Sequence, residues 1–140
     1  MAKQDTVTLL AGVPIFSELS KKELRAIAEA TRGVTRREGD VLAREGDPGV
    51  GFFLILEGKA KVTVGGRQRT SLGPGDFFGE ISLLDAGPRS ATVVAASSVN
   101  MLGLTQWSFK RLIQENPSIA SKMLKVMAQR LRASSGDFTH

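Results

Sequence analysis

The sequence lacks the side chains on which most catalytic and metal chemistry depends. It has no cysteine, and its one histidine, His140, is the last of 140 residues, a position at which chains usually fray. Cysteine–histidine pairs, Ser–His–Asp triads, zinc sites and histidine-bound metals are therefore not expected. Acid–base chemistry by carboxylates remains open, since 14 acidic residues are present. We predict no catalytic site, no metal site and no cofactor.

Long apolar runs are also absent. A helix that spans a bilayer needs about 20 predominantly apolar residues, and no such run occurs. The segment from Met1 to Thr8 is polar and lacks the apolar stretch of a secretory signal. Without cysteine the chain can form no disulfide, which suits a reducing compartment. We therefore expect a soluble, cytoplasmic protein with no membrane span.

The charge balance is positive, with a formal net charge of +5. Such a field favours phosphate ligands, nucleic acids or acidic membranes, and it is also typical of a merely solvated basic surface. Basic residues near the C-terminus are spread along helical patterns rather than packed in one block, which argues against a nucleic-acid-binding tail. They are Lys110, Arg111, Lys122, Lys125, Arg130 and Arg132.

Glycine is concentrated in the middle of the chain. Thirteen of the 15 glycines lie between Gly33 and Gly103, and short apolar runs punctuated by glycine predict short strands joined by tight turns. Gly65 and Gly66 can take the positive φ angles of a two-residue hairpin turn. The predicted strands are Val41–Ala43, Phe52–Leu56, Lys59–Val64, Arg67–Leu72, Ala91–Ala95 and Val99–Leu104. This series predicts a jelly-roll or barrel-like β domain.

The two ends of the chain predict helices. Ser20 and Glu23 have the spacing of a capping box, and the helix that they begin is expected to stop at Gly33. Thr105 and Asn116 are the predicted N-caps of two C-terminal helices, the second of which has proline at its first position. We predict a single domain with four parts, a helical lead-in 1–33, a β-roll 34–104, C-terminal helices 105–133 and a short tail 134–140.

One segment, residues 77–91, combines the groups that a sugar phosphate needs. Gly79 precedes a short helical stretch, whose free amides can bind an anion while the glycine lets a ligand approach the backbone. The guanidinium of Arg89 can hold a phosphate through two hydrogen bonds, and Ser90 adds a hydroxyl donor. Glu80 is unfavourable beside a phosphate but can accept from sugar hydroxyls. An ion pair between Glu80 and Arg89 that only pins the loop fits the same residues.

The same segment resembles that of a known family. Phe78–Leu83, of sequence FGEISL, is followed after five residues by Arg89–Val93, of sequence RSATV. These two runs are similar to the phosphate-binding cassette of cyclic-nucleotide-binding domains. Upstream, Gly46–Gly49 and the apolar Phe52–Ile55 match the first-strand signature of that family. The resemblance covers nearly the whole chain, and the pattern is most similar to prokaryotic cyclic-nucleotide-gated potassium channels and stand-alone bacterial sensor domains.

The resemblance implies a mainly β fold with flanking helices. In such domains an eight-stranded, jelly-roll-like β-roll carries N-terminal helices, a short phosphate-binding-cassette helix and two C-terminal helices. By analogy, Glu80 accepts from the ribose 2′-hydroxyl, Arg89 pairs with the cyclic phosphate, and Arg130 caps the base from the last helix. The implied ligand-binding residues are Phe78, Gly79, Glu80, Ile81, Ser82, Arg89, Ser90, Ala91 and Arg130.

The expected function is a sensor that binds a cyclic nucleotide and moves its last helix. Ser90 stands where a threonine tends to favour cGMP in the family, and since serine also occurs in cAMP binders we expect cAMP to be preferred over cGMP. A degenerate β-roll that only contacts proteins is one alternative, and the sensor part of a transcription regulator or channel that lacks its effector is another. No helix-turn-helix fits after Arg132, so direct DNA binding is not expected and the effector would be another protein, as yet unknown.

Overall fold

The computed structural model describes residues 3–49, 51–85 and 87–134. The chain divides into two compact units. A helical unit comprises Met1–Ala30 and Lys110–His140, and a β unit comprises Thr31–Phe109. The single domain expected from the sequence stays a prediction, and most of its expected tail, with His140, lies outside the described residues.

The β unit consists of two antiparallel sheets. Its strands in chain order are β1 (Arg32–Arg36), β2 (Val41–Ala43), β3 (Gly51–Glu57), β4 (Ala60–Val64), β5 (Arg67–Leu72), β6 (Phe77–Phe78), β7 (Thr92–Ala95) and β8 (Val99–Thr105). One sheet has the order β1-β8-β3-β6, and the other has the order β2-β7-β4-β5. These eight strands of the described chain, with helices before and after them, confirm the predicted mainly β fold with an eight-stranded β-roll.

Glycine turns and charged edges shape the second sheet. Gly65 and Gly66 have φ angles of 58° and 80°, so the hairpin between β4 and β5 uses the positive-φ turn that the sequence predicts. The outer strand β5 carries exposed Arg67 and Arg69. Charged side chains on an edge strand discourage pairing with another chain.

Packing in the apolar interior of the β unit holds β6, the strand that precedes residues 79–91. Phe78 of β6 is buried in a cluster that includes Ile55, Val93 and Met101. Its ring stacks on Phe53 with 5.3 Å between the centroids, an arrangement that adds to the free energy of burial. β6 pairs with β3, with Phe78 opposite Phe53. The residues after Phe78 therefore start from a fixed point.

The helices precede and follow the strands along the chain. They are α1 (Lys3–Ala11), α2 (Lys21–Ala30), α3 (Gln106–Glu115) and α4 (Pro117–Ser134), with a 3-10 turn at Pro14–Phe16. In the helical unit the side chains of Leu10, Phe16, Ile27, Ile119 and Met123 are fully buried. These residues come from both ends of the chain, so their burial holds the first and last helices of the unit together.

Several local predictions are confirmed and others are wrong. The Thr105 hydroxyl accepts from the Ser108 amide at 3.0 Å, as an N-cap should. Gly33 does not stop α2, which ends at Ala30. It lies in β1 with open space around it, where a glycine is tolerated. Asn116 does not cap α4 through its side chain, because its Nδ2 donates backwards to the Leu112 carbonyl at 3.1 Å. α1 lies within the predicted helical lead-in 1–33, although the residue pattern did not mark it as a separate helix.

Candidate functional site

A cavity of about 530 Å³ opens in the β unit. Its walls come from β2, β4, β5, β6, β7 and the segment between β6 and β7. A volume of this size is sufficient for a nucleotide-sized ligand. Eight of the nine ligand-binding residues predicted from the sequence line it, namely Phe78, Gly79, Glu80, Ile81, Ser82, Arg89, Ser90 and Ala91.

Gly79 joins β6 to the predicted cassette helix. That helix is a 3-10 turn over Glu80–Leu83, and Gly79 is its N-cap with a φ of 83°. A non-glycine residue is strained at this angle. A Cβ on Gly79 would also run into the Gly51 carbonyl oxygen and would lie 2.6 Å from Nη1 of Arg89. Glycine therefore serves both the backbone turn and the close approach of the arginine.

Arg89 is held from two sides. Its amide donates to the Asp47 carbonyl at 2.8 Å, and its own carbonyl accepts from the Gly46 amide at 2.9 Å. The backbone of Arg89 is thus clamped to the turn before β3. The half-buried side chain reaches across the glycines, and Nη2 donates to the Gly51 carbonyl at 3.1 Å. Its position is set by main-chain contacts, which do not depend on a neighbouring side chain.

The charge of Arg89 has no carboxylate partner among the described residues. No ion pair to its guanidinium is found in residues 3–49, 51–85 and 87–134. The loop-pinning pair with Glu80, which the sequence left open, is therefore not formed. Burial lowers the pKa of Arg89 below its usual value, although an arginine stays protonated at any physiological pH. An anion that enters the cavity would supply the missing counter-charge.

The remaining predicted residues of the cavity differ in exposure. Glu80 is half-buried in the first turn after Gly79, Ser82 is buried, and Ile81 is 45% exposed. A Cβ on Gly49 would collide with the Ser82 hydroxyl oxygen, so the 3-10 turn packs directly on the backbone before β3. Ser90 is exposed. The residues on either side of the cavity thus offer hydroxyl, carboxylate and amide groups.

A row of wall residues escaped the sequence analysis. Val93 of β7 lies opposite both Ala43 of β2 and Val62 of β4, and Val62 lies opposite Thr70 of β5. All four line the cavity and form a mainly apolar row that ends in one hydroxyl. The alternation of polar and apolar residues in β4 marks Val62 as inward-facing, but the row depends on register shifts in the pairing of β2 with β7 and of β4 with β5.

Arg130 is the predicted site residue that does not line the cavity. It lies near the end of α4, in the helical unit, with an exposed side chain. Its contact with a base stays a prediction. Among the described residues no group of histidine, cysteine, aspartate or glutamate side chains could hold a metal ion.

The cavity suits a ligand with an anionic end, hydroxyl groups and a flat apolar part. Arg89, Ser90 and nearby amides can donate to the anion, and Glu80 can accept from hydroxyl groups. Val62, Val93 and Ala43 offer apolar surface to a ring.

Comparison with known proteins identifies similar chains. Residues 34–116 match the model of the cyclic nucleotide-binding domain family. The chain is 39% identical over 127 residues to a cyclic nucleotide-gated potassium channel of Mesorhizobium japonicum, an alignment that covers 91% of this chain and 35% of the channel. A CRP-like cAMP-activated global transcriptional regulator of Mycobacterium tuberculosis is 29% identical over 134 residues, with 92% of this chain and 60% of the regulator covered.

A solved structure extends the comparison. The crystal structure of the N-terminal domain of a transcriptional regulator from Streptomyces coelicolor A3(2) has a TM-score of 0.82 to this chain at 32% identity, with 94% of each chain covered. The chain thus spans nearly all of this domain but only part of the length of the curated relatives. In the part of the chain that the structure describes, no helix is long and apolar enough to cross a bilayer.

Proposed function

We propose that this chain, which belongs to the cyclic nucleotide-binding domain family, is a sensor that prefers cAMP over cGMP and couples binding to movement of α4. Its membership confirms the resemblance found in the sequence. The family is one of sensors and regulators rather than enzymes, which confirms the prediction of a non-enzymatic domain. The ligand class follows from the family, whereas the choice of base and the moving helix are the proposed parts.

The observation that carries the proposal is the guanidinium of Arg89. It lies in the wall of the cavity, it is half-buried, and no carboxylate of the described residues pairs with it. A buried charge without a partner is costly in the free protein, and such groups concentrate where a ligand completes them. A cyclic phosphate has a single negative charge, which matches the one cation among the described residues of the wall.

The ribose and the base have separate partners in this proposal. Glu80 accepts from the 2′-hydroxyl at the start of the 3-10 turn, and Arg130 covers the base from α4. The apolar residues Val62 and Val93 contact the ring face. The preference for cAMP rests on Ser90 standing where threonine favours cGMP, and a relative is named as a cAMP-activated regulator.

Movement of α4 supplies the signal. A sensor transmits only what its ligand binds differently in two states, so some element must change position. Asn116 separates α3 from α4, and such element ends can absorb a hinge rotation. The residues of α4 from 128 to 134 are all exposed and are therefore available to a ligand or an effector. The proposed effector is a further protein or a further part of a longer chain, and the proposed location is the cytoplasm.

Isothermal titration with cAMP, cGMP and 5′-AMP tests the ligand. We expect one cAMP per chain and a weaker but measurable interaction with cGMP. Because 5′-AMP has an open, more highly charged phosphate, we expect it to bind least. No heat and no competition with either cyclic nucleotide would show that the β-roll is degenerate. A cGMP affinity about tenfold above that of cAMP would reverse the proposed preference but leave the sensor.

Hydrogen exchange with and without saturating cAMP tests the coupling. We expect ligand to slow exchange in residues 79–91 and also in α4. The strands β1 and β8 serve as an internal control, because the proposal gives them no ligand contact. Protection confined to residues 79–91 would remove α4 from the mechanism and leave binding intact.

A further inference from the structure

Glu23 is a buried carboxylate with more partners than a helix cap needs. Its side chain is 9% exposed. Within α2 it completes the predicted capping box, because the Ser20 amide donates to Oε1 at 2.8 Å and the Glu23 amide donates to the Ser20 hydroxyl at 3.2 Å. This reciprocal pair satisfies two amides at the start of the helix. The cap alone would leave one carboxylate oxygen without a donor.

The remaining capacity of Glu23 is taken up by α4. Lys122 Nζ donates to Oε1 at 2.7 Å, and the Ser118 hydroxyl donates to Oε2. Ser118 and Lys122 are four residues apart and therefore lie on one face of the helix. One carboxylate thus joins the first turn of α2 to the first two turns of α4.

The buried apolar side chains of α4 lie in the same part of the helix as these polar contacts. Ile119, Met123 and Val126 are its buried side chains, and they interleave with Ser118 and Lys122. A second ion pair, between Lys125 of α4 and Glu18 in the turn before α2, has a distance of 3.2 Å, but its side chains are 62% and 43% exposed. Exposed pairs contribute little. From residue 128 onwards every described residue of α4 is exposed.

The geometry points to a latch, formed by Glu23, Ser118 and Lys122, that makes α2 and the segment 117–126 of α4 one cooperative unit. The segment 117–126 opens only when the capped end of α2 opens with it, whereas residues 128–134 open independently. This inference concerns the free protein and does not depend on any ligand. It limits what a hinge can do, because a rotation at Asn116 has to move α2 together with segment 117–126 while the latch is closed.

The latch is closed at neutral pH. Burial raises the pKa of Glu23, but the hydrogen bonds from Lys122, Ser118 and Ser20 outweigh that effect and hold the pKa at about 2. The carboxylate is therefore charged throughout the physiological range. Mild acidification does not neutralise it and does not open the latch.

Native-state hydrogen exchange of the ligand-free protein tests the latch with Lys122→Met and Glu23→Gln. Lys122→Met keeps the apolar stem and leaves the capping box intact. We expect it to speed exchange at least about tenfold in both α2 and segment 117–126, with β3 and β8 within about twofold of wild type. Glu23→Gln should have the same or a larger effect on the same two segments. The double variant should be no looser than Glu23→Gln alone, since both changes break one interaction.

The matched control is the exposed pair between α4 and the turn before α2, removed by Glu18→Gln with Lys125→Met. We expect its exchange to stay within about twofold of wild type. If Lys122→Met loosens only α4, or leaves both segments as in wild type, the latch does not couple the helices. Equal acceleration in β3 and β8 would show a general loss of stability and would also overturn the inference. Because Lys122→Met does not touch the cap, these outcomes remain readable even if Glu23→Gln fails to fold.

Discussion

A half-buried arginine and a buried glutamate, in different units of the molecule, have opposite surroundings. Arg89, in the β unit, has one hydrogen bond from its guanidinium, to the Gly51 carbonyl, and no carboxylate partner among the described residues. Glu23, in the helical unit, accepts from Lys122, Ser118 and the Ser20 amide. Burial lowers the pKa of Arg89, whereas in Glu23 the effect of burial is outweighed and the pKa falls to about 2.

The difference separates a binding group from a structural group. When a buried charge has a full set of donors, removing one partner is expensive because the other is left uncompensated. A buried charge with an incomplete set disfavours the free state and is stabilised only when a ligand arrives. Substitution of Arg89 should therefore change binding more than stability, and substitution of Glu23 should change stability more than binding.

The largest expected effect is on ligand affinity. Arg89→Ala should weaken binding of cAMP by about 2–5 kcal/mol, at least about thirtyfold, because the cyclic phosphate loses the one cationic side chain that the described residues place in the cavity wall. The free energy of unfolding of the ligand-free protein should change by less than about 1 kcal/mol, since the lost hydrogen bond is offset by relief of a desolvated charge. Titration calorimetry and urea unfolding measure the two quantities.

Arg69→Ala is the matched control for Arg89→Ala. Arg69 is an exposed arginine of β5 that does not line the cavity. The substitution Arg69→Ala removes the same formal charge as Arg89→Ala, so its effect on affinity measures the contribution of the general positive field alone. Equal losses of affinity in the two variants would break the comparison, because Arg89 would then act only through net charge.

The second effect is a dependence of stability on pH. The folded pKa of Glu23, about 2, lies below the ordinary value of 4.5. Its contribution to the free energy of unfolding is therefore complete above pH 4.5 and is lost as the pH falls from there towards 2. The full contribution is at most about 3 kcal/mol. Urea unfolding of wild type and Glu23→Gln should differ most near pH 7, and the difference should shrink below pH 4.5.

Other carboxylates also titrate in this range, so only the difference between the two proteins isolates Glu23. The affinity for cAMP at neutral pH should be the same in both as long as each is folded. A constant difference in the free energy of unfolding between pH 7 and about pH 3 would mean that the partners of Glu23 do not lower its pKa. The contrast between Glu23, stabilised by its partners, and Arg89, which has no carboxylate partner among the described residues, would then fail.

Only some of the contacts of these two charges can be predicted from the sequence. The capping role of Glu23 follows from a spacing of three residues to Ser20, and the structure confirms it. Its bonds to Ser118 and Lys122 span 95 and 99 residues of chain, and no local pattern encodes them. The cap can therefore be predicted from the sequence, whereas the latch between α2 and α4 cannot.

The candidate site shows the same limit. The residues from Phe78 to Ala91 could be predicted because they are nearly contiguous and resemble one motif. The row of Ala43, Val62 and Thr70 could not, because three separate strands bring these residues together through irregular registers. Gly33 was mistaken for a helix stop, since glycine ends helices and also sits in strands that have open space beside them.

A third, smaller effect concerns the ribose. Glu80→Ala should weaken binding of cAMP by about 1.5–3 kcal/mol, the value of a hydrogen bond to a charged group. A 2′-deoxy analogue lacks the hydroxyl, so wild type and variant should bind it about equally. Glu57→Ala, at the exposed end of β3, is the control for removal of a carboxylate. If the analogue loses as much affinity as cAMP on mutation of Glu80, the residue acts through the loop rather than the ribose.

The smallest effect is on the choice of base and tests whether the wall around Arg89 also discriminates. Ser90 is adjacent to Arg89, exposed and part of the cavity wall. Ser90→Thr keeps the hydroxyl and adds a methyl group that restricts the χ1 angle. A hydroxyl already held in one rotamer loses less entropy when it bonds the guanine amino group, so cGMP should gain up to about 1 kcal/mol, roughly fivefold. Competition titration of cAMP against cGMP measures the ratio, and Ser90→Ala should move it the other way. If both substitutions change the affinities for the two nucleotides equally, Ser90 serves only the phosphate beside Arg89, and the base is selected elsewhere in the protein.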